Sequence, residues 1–464
     1  MDVVSTVLAL CLLMTVAYRG YSVILLAPVA ALLAVVLQGG PGLVMPMFSG
    51  VFMEKLVGFL KTYFPVFLLG ALFGKLIEVA GFARAITEQV VRVLGSRHAM
   101  LAVVLVGALL TYGGVSLFVA AFAVYPFASE LFRAAGIPRR LIPGTIGLGV
   151  FTFTMDALPG SPQIQNIIPT TFFHTTTWAA PRLGLLGAVF VLALGLTYLE
   201  RRRRQAADAG EGYGDDDTAA APTTEGTTPP AWLAFLPLVV VGVSNLALTR
   251  WLGRTLPPRF DFAAVGIAKV PPLDMSPLTA IWAVEGALVL GLGCLLATAW
   301  PRLKNELGPA SRVAVAGALL AAFNTASEYG FGGVIAALPG FHRISSSLGE
   351  AITNPLLSTA VTTTALAGIT GSASGGMSIA LAAMGAQYLT QATAQGIPPE
   401  VLHRVAAMAS GGMDTLPHNG AVITLLAVTG LTHRQAYRDI FAMTVIKTSA
   451  VFFVIAVYYV TGLV

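Results

Sequence analysis

Residues 155–159 read Met-Asp-Ala-Leu-Pro and residues 413–417 read Met-Asp-Thr-Leu-Pro, two copies of one pentapeptide in strongly apolar surroundings. Each copy places an ionisable Asp and a helix-breaking Pro where a lipid-embedded chain tolerates them least. Non-helical backbone at membrane depth survives only where protein or a water-filled cavity surrounds it. Ionisable groups at that depth mark substrate or ion paths. Two such interruptions at corresponding places in two halves point to the binding site of a secondary transporter.

Composition leads to the same class. Hydrophobic residues make up 56% of the 464 and charged residues 11%, with a mean hydropathy of +0.79; a soluble domain carries about 25% charged residues. Apolar runs approaching the ~20 residues that cross a bilayer recur along the whole length. The expected fold is therefore an all-α polytopic membrane protein. A formal charge of +5 does not point to a nucleic-acid partner, because the basic residues sit in short loops between spans, where they set topology. Cys11 and Cys294 lie inside apolar runs, which gives no disulfide framework or thiolate metal site. Residues 3–18 lack a basic leader and a small-residue cleavage site, and read as a retained first span.

One stretch, 201–230, has soluble character. It runs from Arg201–Arg204 through Asp215–Asp217 into a Thr/Pro/Ala/Gly-rich tract, a composition expected to form a disordered cytoplasmic linker. It separates halves 1–200 and 231–464 that align with each other. FGKLIEVAGF (73–82) matches FGGVIAALPGF (331–341), YGGVS (112–116) matches SGGMS (374–378), and Ile137-Pro138 matches Ile397-Pro398, all in the order of the two pentapeptides. Spans are expected near 3–18, 21–38, 63–80, 138–172 (broken), 182–200, 232–250, 277–299, 313–337, 401–430 (broken) and 437–462. Two shorter apolar pairs, within 98–131 and 354–391, read as re-entrant hairpins that turn at their Gly-Gly. With Arg201–Arg204 inside, the inner loops hold 16 basic residues against nine outside, the latter including Lys55, Lys61, Arg182 and Arg404. That bias follows the positive-inside rule. The result is about ten spans in two inverted repeats. Residues 40–61 form either an interfacial helix or an extra span.

Four elements are expected to converge near the midplane. Tip one is Thr111 to Ser116 and tip two is Thr370 to Gly376. Gly113, Gly114, Gly375 and Gly376 let the backbone approach a ligand without a Cβ in the way. The helix N-termini behind the tips offer N–H donors and partial positive charge to an anion. Ser116, Ser372 and Ser374 add hydroxyls. An isolated Gly-Gly more often serves close helix packing, but two at matching positions beside interrupted helices favour a site. At the first break Gly160 and the prolines stop the helix, while Ser161, Gln163, Gln165 and Asn166 supply neutral polar groups. At the second, Thr415, His418 and Asn419 do so. An unpaired carboxylate at bilayer depth costs ~2.5–3.5 kcal/mol even on the mildest scale, so Asp156 and Asp414 must be protonated, paired or hydrated; capping a freed helix end is an equally good role. His418, with an ordinary pKa of ~6.5, and Glu328, within a polar run of a span, complete the proton-coupling candidates with Asp156 and Asp414. Lys75 and Glu78 read as a pair on one helix face, and Lys447 as lying near a helix end.

The runs TYGGVSLFVAAFAVYPFA (111–128) and IPRRLIPGTIGLGVFTFTMDALPGSPQIQNIIPTTFF (137–173) resemble the gluconate:proton symporter family of the ion transporter superfamily. The resemblance implies proton-coupled uptake of gluconate-like or 3-hydroxybutyrate-like acids. It also implies an elevator mechanism in which hairpins and broken helices slide against a dimeric scaffold. In the gluconate transporters the first break carries histidines and a proline-rich run, where this chain has Asp156 through Gln165, which shifts the expected substrate toward a shorter hydroxy or keto acid. The expectation is therefore a symporter in a bacterial-type cytoplasmic (inner) membrane, with no cofactor, no metal and no enzymatic chemistry. Its alternatives are sodium coupling, whose hard cation would take backbone oxygens, and a passive organic-anion channel.

Overall fold

The computed structural model describes residues 2–19, 21–95, 98–115, 117–214, 229–267, 269–341, 343, 351–417 and 419–464. Within them the chain is an all-α polytopic membrane protein, with one short ribbon, Arg259–Phe260 paired with Leu273–Asp274, between two spans. Among the described residues six helices are long and apolar enough to cross a bilayer: Pro41–Val79, Pro181–Asp208, Ala231–Thr255, Thr279–Leu303, Leu307–Ala337 and His433–Thr461. Asp2–Tyr18, Val23–Leu37 and the two interrupted helices occupy the remaining expected span positions. Polarity is arranged inside out. Leu25, Val239, Val243, Leu290, Leu320 and Val445 face outward, whereas Asp156, Arg404 and Lys447 are wholly enclosed.

Both interruptions fall where the pentapeptides place them. Ile142–Val150 stops, Phe153–Asp156 makes a single turn, and helix restarts only at Ile164–Phe173. In the second half Pro399–Gly411 tightens into a 3-10 turn, Gly412–Thr415, before Gly420–Thr429 resumes. Proline cannot donate to the helix ladder and clashes with the preceding turn, so Pro159, Pro162 and Pro417 keep these segments open. The hairpins Ala99–Tyr112/Leu117–Ala134 and Pro355–Thr370/Ala373–Ala394 pack beside them.

Three expectations are corrected. Residues 40–61 are neither a separate interfacial helix nor a separate span: Pro41 to Val79 is one helical element of 39 residues, laid along Leu307–Ala337. The expected linker does not begin at 201. Pro181–Asp208 continues through the arginines because Glu200 pairs with Arg203 and Arg204 at 2.5 and 3.2 Å, and Arg202 reaches Asp439 at 2.7 Å. Beyond it Glu211 pairs with Arg140 at 2.6 Å and Tyr213 bonds Ser129 at 2.5 Å, so 209–214 docks on the protein. The tract 215–228 lies outside the described residues. Finally, Arg404 is no outer-loop residue; it is fully buried within Pro399–Gly411. Lys75 and Glu78 do pair, at 2.8 Å and partly exposed.

Candidate substrate-binding site

The first break is wired almost entirely by neutral groups. Gln163 Nε2 donates to the carbonyls of Thr111 (2.7 Å) and Val115 (3.2 Å), fixing the break to tip one. Tyr112 donates its hydroxyl to Pro159 O at 2.9 Å, and Asn245 Nδ2 donates to Gly160 O at 2.9 Å. Ser161 Oγ turns back to Thr154 O at 2.7 Å. Asn166 Nδ2 donates to Ser161 O and Thr177 O, both at 2.9 Å, which orients its Oδ1 toward the second half. Buried carbonyls released by unwinding need donors, and these amides supply them.

The two tips differ. In tip one the N–H groups of Gly113, Gly114 and Val115 donate to Leu109 O, Thr111 O and Leu110 O, so the turn is closed on itself. Its glycines abut Leu238 and Leu288, and the expected open cradle at Gly113 and Gly114 is not formed; Ser116 lies outside the described residues. Tip two turns at Gly371, whose φ is +68°, and at Ser372 rather than at its Gly-Gly. Gly375 and Gly376 instead occupy the first turn of Ala373–Ala394, where a Cβ would collide with the Glu328 carboxylate and the Ala367 backbone. Close approach, not chain reversal, selects glycine there. Ser372 caps that helix by accepting from Gly375 N at 3.1 Å, and Ser374 Oγ lies 3.3 Å from Thr325 Oγ1. Glu328 is 3% exposed, and its Oε2 has no hydrogen-bond partner among the described residues.

Asp414 joins these parts. Its Oδ1 accepts from Ala373 N at 3.2 Å, at the N-terminus of the helix behind tip two, and from Asn419 Nδ2 at 3.1 Å. Its Oδ2 accepts from Gln165 Nε2 of the first break at 3.0 Å. One carboxylate thus connects both breaks and one tip. Asn419 also caps Gly420–Thr429 through Ala421 N at 2.7 Å, and Thr415 Oγ1 meets Thr444 Oγ1 at 2.6 Å. His418 is outside the described residues.

Asp156 faces a different partner, the ammonium of Lys447, with which it forms an ion pair sealed from solvent. Gly411 makes room for the pair, since a Cβ there would overlap both charged groups. Arg404 lies alongside. Its Nη1 donates to Asp156 O at 2.5 Å and Asn166 Oδ1 at 3.1 Å, and its Nη2 to Ala179 O at 2.7 Å. His403 Nε2 is 3.2 Å from the same Asn166 oxygen, and its Nδ1 is 2.7 Å from Thr175 Oγ1. Because that amide oxygen only accepts, His403 carries a proton on Nε2, and its Nδ1 accepts from Thr175 when neutral. Toward the expected outer face, Glu54, Lys55, Phe59, Tyr63, Thr171 and Tyr329 line a cavity of about 400 Å³. Among the described residues no group of three or more His, Cys, Asp or Glu could hold a metal ion.

No family model matches the chain. It is 59% identical over 473 residues, spanning 100% of both sequences, to the uncharacterized transporter YxjC of Bacillus subtilis (strain 168). The chain belongs to the YxjC family of transporters. A second relative, an uncharacterized transporter of Haemophilus influenzae, is 30% identical over 210 residues, 45% of this chain and 44% of its own length. Among solved structures the chain is similar to the YdaH transporter of Alcanivorax borkumensis, with a TM-score of 0.49 and 16% identity over 88% of each chain.

For this member of the YxjC family, sequence reading brought out Asp156, Asp414, the amides and the tips, and missed the basic half of the core. Lys447 lies in the middle of His433–Thr461 rather than near an end, and its partner is 291 residues away. Its signal was available: a lone lysine inside an apolar span needs a carboxylate, and unassigned carboxylates were at hand. Arg404 and His403 follow Ile397-Pro398 so closely that they read as the flank of a loop.

Proposed function

We propose that this transporter is a proton-coupled symporter for a small hydroxy-monocarboxylate of the 3-hydroxybutyrate or gluconate kind, acting in a bacterial cytoplasmic membrane. The observation that carries this reading is the junction at Asp414, where two unwound helices and a hairpin tip share one buried carboxylate. Only a protein-lined site holds so much interrupted backbone at that depth. Asp156, Asp414, Glu328 and His418 form the candidate set from which a proton neutralises the loaded carrier. Ser372, Ser374 and Thr415, with the amides of Gln165 and Asn419, offer hydroxyl-recognising groups around it. The resemblance to gluconate:proton symporters supports the substrate class. In this reading 1–200 and 231–464 are inverted repeats. Hairpins and interrupted helices slide as a body against a scaffold of the remaining spans, in a homodimer, and the cavity beside Tyr63 and Tyr329 is its outer approach.

The test is uptake of labelled 3-hydroxybutyrate or gluconate into vesicles containing the purified protein. An inside-alkaline pH gradient should drive accumulation above equilibrium without sodium, and a protonophore should abolish it. Accumulation that requires sodium makes the protein a sodium symporter. Flux that never exceeds equilibrium makes it a channel.

A further inference from the structure

We infer that Lys447 is the cation that receives the substrate's carboxylate, and that Asp156 occupies it between transport cycles. The inference rests on the carboxylate-transport reading above and deepens it. Several of the donors expected to serve an anion are already taken by the protein itself. At tip one the N–H groups of residues 113–115 bond to carbonyls of 109–111. At tip two, Ala373 N and Gly375 N donate to Asp414 and Ser372. Arg404 spends three of its five N–H groups on Asp156 O, Asn166 Oδ1 and Ala179 O, and its Nε has no partner among the described residues.

Lys447 is held by fewer bonds than Arg404. An ammonium has three donors, and among the described residues it bonds only Asp156 Oδ2. On the other side of that bond, Asp156 Oδ1 is fully buried and has no partner among the described residues. The pair is thus held together by a single contact, in a core where Asp414 has three donors and Arg404 three acceptors. A carboxylate that takes an ammonium yet leaves an oxygen unsatisfied is an internal stand-in for a better-fitting one.

Charge then sets the coupling. With Glu328 carrying its proton, Asp156 and Asp414 balance Lys447 and Arg404, so the core is neutral before substrate arrives. An entering monocarboxylate adds one negative charge to a site where net charge is costly. A proton binds the Asp156 carboxylate, Lys447 stays protonated, and its N–H turns from Asp156 Oδ2 to a substrate oxygen. On release at the other face the proton leaves and Asp156 retakes the ammonium. The core is neutral in both states, and transport is electroneutral, with a single proton per acid. The charged groups around Asp156 are Lys447 from the last helix, Arg404 from Pro399–Gly411 and Asp414 from the 3-10 turn. His403 adjoins Arg404. Ala99–Tyr112, Ile142–Val150 and Ile164–Phe173, which also pack on the Asp156 turn, contain no charged residue. Arg182 lies in the first turn of Pro181–Asp208, whose Gly184 faces Ala157 O and Arg404.

The test uses the full chain in detergent, with 3-hydroxybutyrate and gluconate as probes. In weak buffer, binding of an acid to the wild type should withdraw a proton from solution, read with an indicator dye. Asp156→Asn should bind without withdrawing a proton and with an affinity independent of pH. The double variant Asp156→Asn/Lys447→Met removes both charges, so no buried charge is left alone, and should lose about 100-fold in affinity. Proton withdrawal by Asp156→Asn moves the coupling to another carboxylate, Glu328 first, and overturns the inference. Unchanged affinity in the double variant overturns it as well. If the wild type binds neither probe, the failure belongs to the carboxylate-transport reading itself.

Discussion

Tip one and tip two hold equivalent places in the two halves, yet they are made of different material. Tip one is a closed turn set against Leu238 and Leu288 and pinned to its break by Gln163 and Tyr112. Tip two is bordered by Ser372, Ser374, Thr325 and the carboxylate of Glu328, and is joined to its break by Asp414. A duplicated sequence pattern therefore does not mean a duplicated role. Around tip one the polar groups satisfy backbone; around tip two, polar groups capable of recognising an anion or a hydroxyl are gathered.

The largest effect that could break this contrast lies between the halves. Arg404→Met leaves the carbonyls of Asp156 and Ala179 without a donor and should destabilise the protein by about 3 kcal/mol, seen as a lower unfolding midpoint in detergent. A midpoint equal to wild type would mean that other donors serve those carbonyls. Gly376→Ala comes next, because its Cβ meets the backbone of Ala367, which cannot move as a side chain can; roughly 2–3 kcal/mol is expected from overpacking. Gly113→Ala meets the Leu238 side chain and should cost about 1 kcal/mol. If the two alanines rank the other way, tip one is the tighter of the two.

Function separates the tips further. Gln163→Leu should lower stability by about 1–2 kcal/mol and leave the apparent substrate constant for uptake alone, whereas Ser374→Ala should raise that constant about threefold with little loss of stability. Equal effects on the constant would return the tips to equivalence. The smallest effect sits at the periphery of the first half. The Arg140 guanidinium holds the Glu211 carboxyl below its ordinary value of 4.5. Its contribution is therefore present at neutral pH and is lost as the pH falls through the lowered value. With Glu211 40% exposed, Glu211→Gln should cost well under 1 kcal/mol. Faster amide exchange over 209–214 at pH 7, with no difference from wild type in acid, is the expected result.

Much of this organisation is legible in the sequence because prolines and carboxylates in apolar runs have few uses. The pentapeptides at 155 and 413 locate both interruptions, and apolar run lengths locate the spans. The Gly-Gly match misleads at 375–376, since chain reversal and close contact select the same residue and only three dimensions tell them apart. Lys447 and Arg404 stay hidden for another reason. Positive-inside reasoning treats every cation as a loop residue or a helix-end anchor, and although a lysine inside an apolar span calls for a carboxylate, nothing along the chain singles out Asp156, hundreds of residues away, as the group that Lys447 and Arg404 meet.

The helical element from Pro41 to Val79 has 39 residues, which at 1.5 Å per residue is about 58 Å long, nearly twice a typical hydrocarbon thickness of ~30 Å. It must lean or project, and helix Leu307–Ala337 lies along it. Lipids with longer or shorter acyl tails should change that lean, so the host bilayer's thickness bears on how this transporter is seated in its membrane.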